Sequence, residues 1–120
     1  MFTRGLTPGI LFWGCADPPP AAPPWEDLAA QLEQDCGACH LDGFESGGFA
    51  LDGAPESLLD APSRAGMPYV TPGEPDDSYL LHKLAGTHEE VGGFGARMPI
   101  GPPWSDTDLA AVDEWIRSLR

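Results

Sequence analysis

Basic residues are scarce in this chain: six Lys and Arg stand against 19 Asp and Glu over 120 residues, a formal net charge of −13 at pH 7. Without a basic patch to neutralise phosphates, a nucleic-acid partner is excluded. Long apolar runs are missing as well, and no segment approaches the roughly 20 apolar residues that span a bilayer. There is no Ser-His-Asp spacing and no carboxylate pair that stands out from the acidic background. Gly47-Gly48 lacks the following Lys-Ser/Thr and the preceding strand that a phosphate-binding loop needs. Turn-forming residues, in contrast, are plentiful: 15 Gly and 14 Pro point to a few helices joined by long loops, not to a sheet. Four Trp and five Phe argue for a packed interior. The length fits one small domain with tails, whose own core is limited.

Against this background stands Cys36-Gly37-Ala38-Cys39-His40. Two cysteines two residues apart, with a histidine directly after the second, carry the attachment signature of a c-type haem. The spacing lets one helical turn present a thiol to each of the two porphyrin vinyl groups. The next residue, His40, then lies under the iron as proximal ligand. Cys-x-x-Cys alone has other readings. A dithiol redox pair would follow a hydrophobic strand, whereas the residues before Cys36 are polar and helical. A zinc site would need a second ligand pair, and neither His82 nor His88 sits in one. A covalently held haem would also supply much of the interior that so short a chain lacks.

The N-terminus reads as an export signal over residues 1–15. Arg4 is followed by an apolar run, Ile10-Leu11-Phe12-Trp13-Gly14, and then by Cys15. Gly14-Cys15 resembles the processing site of bacterial lipoproteins, which makes Cys15 a candidate for lipid attachment and a membrane tether. Residues 16–24 are Pro-rich and read as a semi-rigid spacer. Residues 25–120 then form the haem domain.

Within that domain Trp25, Leu28, Ala29, Leu32 and Cys36 recur at helical spacing, predicting a first helix that runs into the motif. Phe44, Phe49 and Leu51, in a Gly-rich stretch, are expected to pack on the porphyrin. A short helix is predicted from Pro55 to Asp60, then extended chain through Met67-Pro68. A second helix follows over 79–84, capped by Asp76, Asp77 or Ser78 and ending near Gly86. Residues 86–104 read as loop. Ser105-Asp106-Thr107-Asp108 opens the last helix, with Leu109, Val112, Ile116 and Leu119 as one stripe and Trp115 beside it.

Two methionines can serve the far side of the iron, Met67 and Met98, each followed by Pro. A helix ending in Cys-x-x-Cys-His, a loop with a short helix, a Met-Pro loop and a C-terminal helix together resemble the class I cytochrome c family over about residues 25–120. The resemblance implies an all-α fold of about three to five short helices and long loops around one covalent haem c. It implies Cys36 and Cys39 as thioether residues, His40 and Met98 as iron ligands, and Arg97 as a partner for a haem propionate. Met67 is the alternative to Met98. The function it implies is one-electron exchange, without catalysis, with redox proteins outside the cytoplasmic membrane. The acidic surface favours a basic docking face on the partner, and a monomer is expected. The competing reading is a haem enzyme or gas sensor, with an open distal side or one served by His82 or His88.

Overall fold

The computed structural model of the protein describes residues 22–43 and 48–119. The export signal, Cys15, most of the Pro-rich spacer and Phe44 lie outside the described residues. Helix α1 spans Trp25–His40, with Glu26 and Asp27 in its first turn, where acidic groups favour the positive end of the helix dipole. Its apolar stripe is used as the spacing predicts: Leu28 and Leu32 are buried, while Trp25 and Cys36 pack against the core from its edge. Past His40 the chain turns to extended backbone at Leu41 and doubles back, so that Leu51 N–H donates to the His40 carbonyl. The Asp52 carboxylate clips this turn by accepting from the Asp42 and Gly43 amides at 2.9 and 3.2 Å.

The short helix expected over 55–60 is reduced to a 3₁₀ turn at Glu56–Leu58. The reason is a competing partner. Residues 58–61 exchange backbone hydrogen bonds with residues 69–70: Val70 N to Leu58 O (3.1 Å), Asp60 N to Val70 O (2.8 Å) and Tyr69 N to Ala61 O (2.8 Å). These isolated pairings leave no strand among the described residues.

Helix α2 covers Tyr79–Ala85, after a 3₁₀ turn at Pro75–Asp77 that holds Asp76 and Asp77. Ser78 occupies the N-cap position but makes no capping bond. Its hydroxyl donates to Glu74 O at 2.8 Å and accepts from Thr71 N at 2.9 Å, stapling the approach to the helix. Gly86 ends α2 in the left-handed region at φ 82°, its N–H on His82 O, where a side chain would be strained. A further 3₁₀ turn, His88–Val91, lies where the sequence predicts only loop.

Helix α3, Asp106–Ser118, begins as its capping pattern predicts: Ser105 Oγ accepts from Asp108 N at 3.1 Å. Val112, Trp115 and Ile116 are buried, Leu109 lies at the edge, and Leu119 follows the helix as its C-cap. Packed against both α1 and α2, α3 joins the two halves of the domain. The Trp25 and Trp115 rings meet at 4.8 Å. Leu58, Val70, Leu80, Leu84 and Trp104 complete the core. Truncating any of its leucines to alanine costs about 2–5 kcal/mol by lost burial and the cavity left behind.

Candidate haem-binding site

The C-terminal end of α1, one side of α2 and the loop before α3 enclose a cavity of about 450 Å³, a size usual for small-molecule and cofactor sites. From α1 come Cys36, Cys39 and His40; from α2, Tyr79, Leu80, Lys83 and Leu84; from the loop, Phe94, Met98 and Ile100. Phe49 and Tyr69 form a wall between them. Their rings are 4.9 Å apart, and Phe49 meets His40 edge-on at the same distance.

His40 is buried, and its Nδ1 lies 2.7 Å from the Phe49 carbonyl. A carbonyl can only accept, so Nδ1 carries a proton, and in the neutral ring Nε2 then keeps its lone pair, the form an imidazole needs to bind a metal. Cys36 and Cys39 are free thiols. Burial pushes the Cys36 thiol up to about 11, with the Asp35 carboxylate and Cys39 adding to the effect. Two free thiols and a metal-ready imidazole on one wall of an apolar cavity fit a covalent haem. No group of three or more His, Cys, Asp or Glu able to hold a metal ion occurs among the described residues, so the zinc reading finds no ligand set there.

The two methionines part company. Met98 is half-buried and lines the cavity; Met67 does not line it. Met67 lies in a turn where its carbonyl accepts from Ser63 N at 2.9 Å. Neither His82 nor His88 lines the cavity. Both ring nitrogens of His82 are engaged, Nδ1 with Thr87 Oγ1 and Nε2 with Asp76 O, each at 2.7 Å.

Arg97 lies off the cavity. The resemblance implies that it reaches a propionate, but it is not a lining residue. Its stem lies against Gly86 and its Nη2 donates to Gly101 O at 3.0 Å, which turns it to brace the loop. Among the described residues, Arg64 and Lys83 are the cationic side chains lining the cavity. Burial pulls the Lys83 ammonium below its ordinary value, against a smaller opposing pull from Glu89. The sequence reading misses both residues, and Tyr69 and Tyr79 with them. For α2 a signal existed: Tyr79, Leu80, Lys83 and Leu84 follow the i, i+1, i+4, i+5 spacing of one helical stripe. Arg64 and Tyr69 carry no local signal, because backbone pairing alone brings their segment to the wall.

The loop also needs Gly93. A Cβ there would collide with Tyr79 Oη and come within 2.7 Å of Tyr79 Cε1 and 2.8 Å of His88 O. Only a residue without a side chain lets the loop pass this close to α2.

Thiols, imidazole and apolar walls together define the class: a protein that holds a haem covalently. Comparison with protein families matches residues 27–120 to the family described as Cytochrome c. The chain belongs to the cytochrome c family: it is a c-type cytochrome with a covalently bound haem and its iron, and the family in general transfers electrons between redox partners. Comparison with curated proteins finds no match, nor does comparison with solved structures.

Proposed function

We propose that this chain is a one-electron carrier whose haem iron is held by His40 on one side and Met98 on the other, and that it works outside the cytoplasmic membrane. The observation that carries the reading is the convergence of Cys36, Cys39, His40 and Met98 on one cavity. When bound there, the haem supplies reversible one-electron exchange at its iron. The protein's part is to hold and orient it. Cys36 and Cys39 anchor it through thioethers, and the Phe49 carbonyl fixes the His40 tautomer and ring. Leu80, Leu84 and Met98 keep water from the interior side. Arg64, which lines the cavity, offers a guanidinium to the haem carboxylates.

Carrier activity needs an exposed approach, and Phe94 and Ile100 flank Met98 at the cavity rim with 61% and 73% of their surface exposed. The acidic surface favours a redox partner with a basic docking face, and its self-repulsion favours a monomer. Export rests on the signal-like residues 1–15 and on the chemistry of haem attachment, which in bacteria happens outside the cytoplasmic membrane. Cys15 is then the residue to carry a lipid anchor.

The test is to express the whole chain with a haem maturation system and record visible spectra. Sharp reduced α and β bands, with a weak far-red Fe–S band in the oxidised form, are expected. Met98→Ala should abolish the far-red band and lower the midpoint potential by on the order of 0.1 V, since axial ligands govern a span of about 0.8 V. Met67→Ala should leave both intact. A high-spin spectrum in the unaltered protein, shifting with carbon monoxide, would instead support the enzyme or sensor reading. Cell fractionation of the unaltered chain and Cys15→Ser tests the anchor: the substitution should move the protein from membrane to soluble fraction.

A further inference from the structure

Residues 92–98 have no regular secondary structure, yet they carry Met98 into the cavity. A segment without its own hydrogen-bond ladder is held by what it borrows from neighbours. Two side chains lend it bonds. Lys83 Nζ donates to Phe94 O at 2.7 Å. His88 Nε2 lies 2.8 Å from Gly95 O, and since that carbonyl can only accept, Nε2 carries the proton. The main chain of the same two residues joins in: Met98 N donates to Lys83 O at 3.1 Å, and Gly93 N to His88 O at 2.8 Å.

With Nε2 as its donor, His88 keeps an Nδ1 that is buried without a partner. Such an orphan is costly, and an apolar ring of the same shape would avoid it. What an apolar ring could not do is donate to Gly95. Lys83 likewise gives up hydration to line the cavity, and it does so with its ammonium on Phe94 O.

We propose that Lys83 and His88 are positioning residues for Met98, clamping the loop at consecutive carbonyls so that the thioether stays on the iron. The proposal rests on Met98 being the sixth ligand. A ligand carried on a loop leaves the iron as often as the loop opens, and an external ligand binds in proportion to that open population. Loss of one clamping bond should raise that population several-fold, and about tenfold where the donor is charged.

The experiment uses the mature holoprotein and five variants: Lys83→Met, Lys83→Arg, His88→Phe, His88→Gln and Met98→Ala. Imidazole affinity of the oxidised form, far-red band intensity and midpoint potential are measured for each. Lys83→Met should bind imidazole about tenfold more tightly than the unaltered protein, and His88→Phe several-fold more tightly, both with a weakened far-red band and lowered potential. Lys83→Arg and His88→Gln keep a donor and should recover most of the loss. Phe and Gln are both uncharged, so a difference between the two His88 variants does not come from an altered field at the iron. Unaltered imidazole affinity and band in both Lys83→Met and His88→Phe would overturn the clamp while leaving the ligand assignment standing. A far-red band that survives in Met98→Ala would overturn the ligand assignment itself, and the clamp with it. Should His88→Phe fail to mature, Lys83→Met, at a partly exposed site, decides the question.

Discussion

Cys36, Cys39 and His40 lie within five consecutive positions of α1, whereas Met98 sits 58 residues beyond His40 on a loop with no regular structure, and all four line one cavity. The helix end is built locally. Once α1 forms, the three side chains are set relative to one another by helical geometry, and one bond to Phe49 completes the arrangement. The loop is built at long range. It is placed by Lys83 and His88 and passes close to Tyr79, each from another element. The contrast teaches that attachment of the group and tuning of the group are separable. Changes in the helix should decide whether haem is held, and changes around the loop how it behaves.

The sharpest way to break this division is the double substitution Cys36→Ala/Cys39→Ala. Haem should be lost entirely from the denatured, acid-extracted protein, as read by haem staining after electrophoresis. Haem retained through that treatment would mean the attachment lies elsewhere.

Next in size is Trp104→Phe. Trp104 Nε1 donates to Asp35 Oδ2 at 2.8 Å, tying the chain just before α3 to the residue preceding Cys36. Loss of this part-buried bond to the carboxylate of an exposed residue should cost about 1.5 kcal/mol in urea unfolding. This variant joins the two regions, so both haem retention on partial unfolding and imidazole affinity should shift.

The two glycines make the comparison directly. Gly93→Ala forces Tyr79 or the His88 backbone to move and should cost about 1–3 kcal/mol by overpacking. At Gly37, inside α1, the nearest atom to an added Cβ is Leu41 Cδ2 at an ordinary 3.6 Å. Gly37→Ala should therefore stabilise by up to about 0.5–1 kcal/mol through helix propensity. Equal effects at the two sites would erase the distinction between local and long-range construction.

The smallest expected effect is at the α3 cap. Ser105→Ala removes the bond from Asp108 N and should cost about 1 kcal/mol near pH 7. The Asp108 carboxyl is held below its ordinary value, first by a hydrogen bond from the Gln31 side chain and then by Ser105. A lowered carboxylate contributes stability above the unfolded-state value near 4, and the contribution fades as pH falls through the lower folded value. The cost of Ser105→Ala should thus shrink in urea melts at pH 3 relative to pH 7.

Much of this was legible before any tertiary structure. The 3.6-residue stripe of α1, the Gly86 stop of α2 and the Ser105 cap of α3 are local signals with local causes. The attachment motif, too, lies inside one helical turn. What was not legible depended on distant partners. The 3₁₀ turn at Glu56–Leu58 replaces the expected helix because residues 69–70 take its backbone bonds. Ser78 holds the N-cap position with its hydroxyl on Glu74 and Thr71. Arg97 stands beside Met98 in sequence and yet braces Gly101, while Arg64 arrives from a segment with no local reason to be there.

By itself, then, the sequence determined the three α-helices and the Cys-x-x-Cys-His motif that closes the first of them, because each needs only neighbours within a few residues. The tertiary structure alone decided which methionine lines the cavity. Met67-Pro68 and Met98-Pro99 are alike in local chemistry. They differ in the backbone bonds their segments make: Met67 in a turn onto Ser63, Met98 under the clamp of Lys83 and His88.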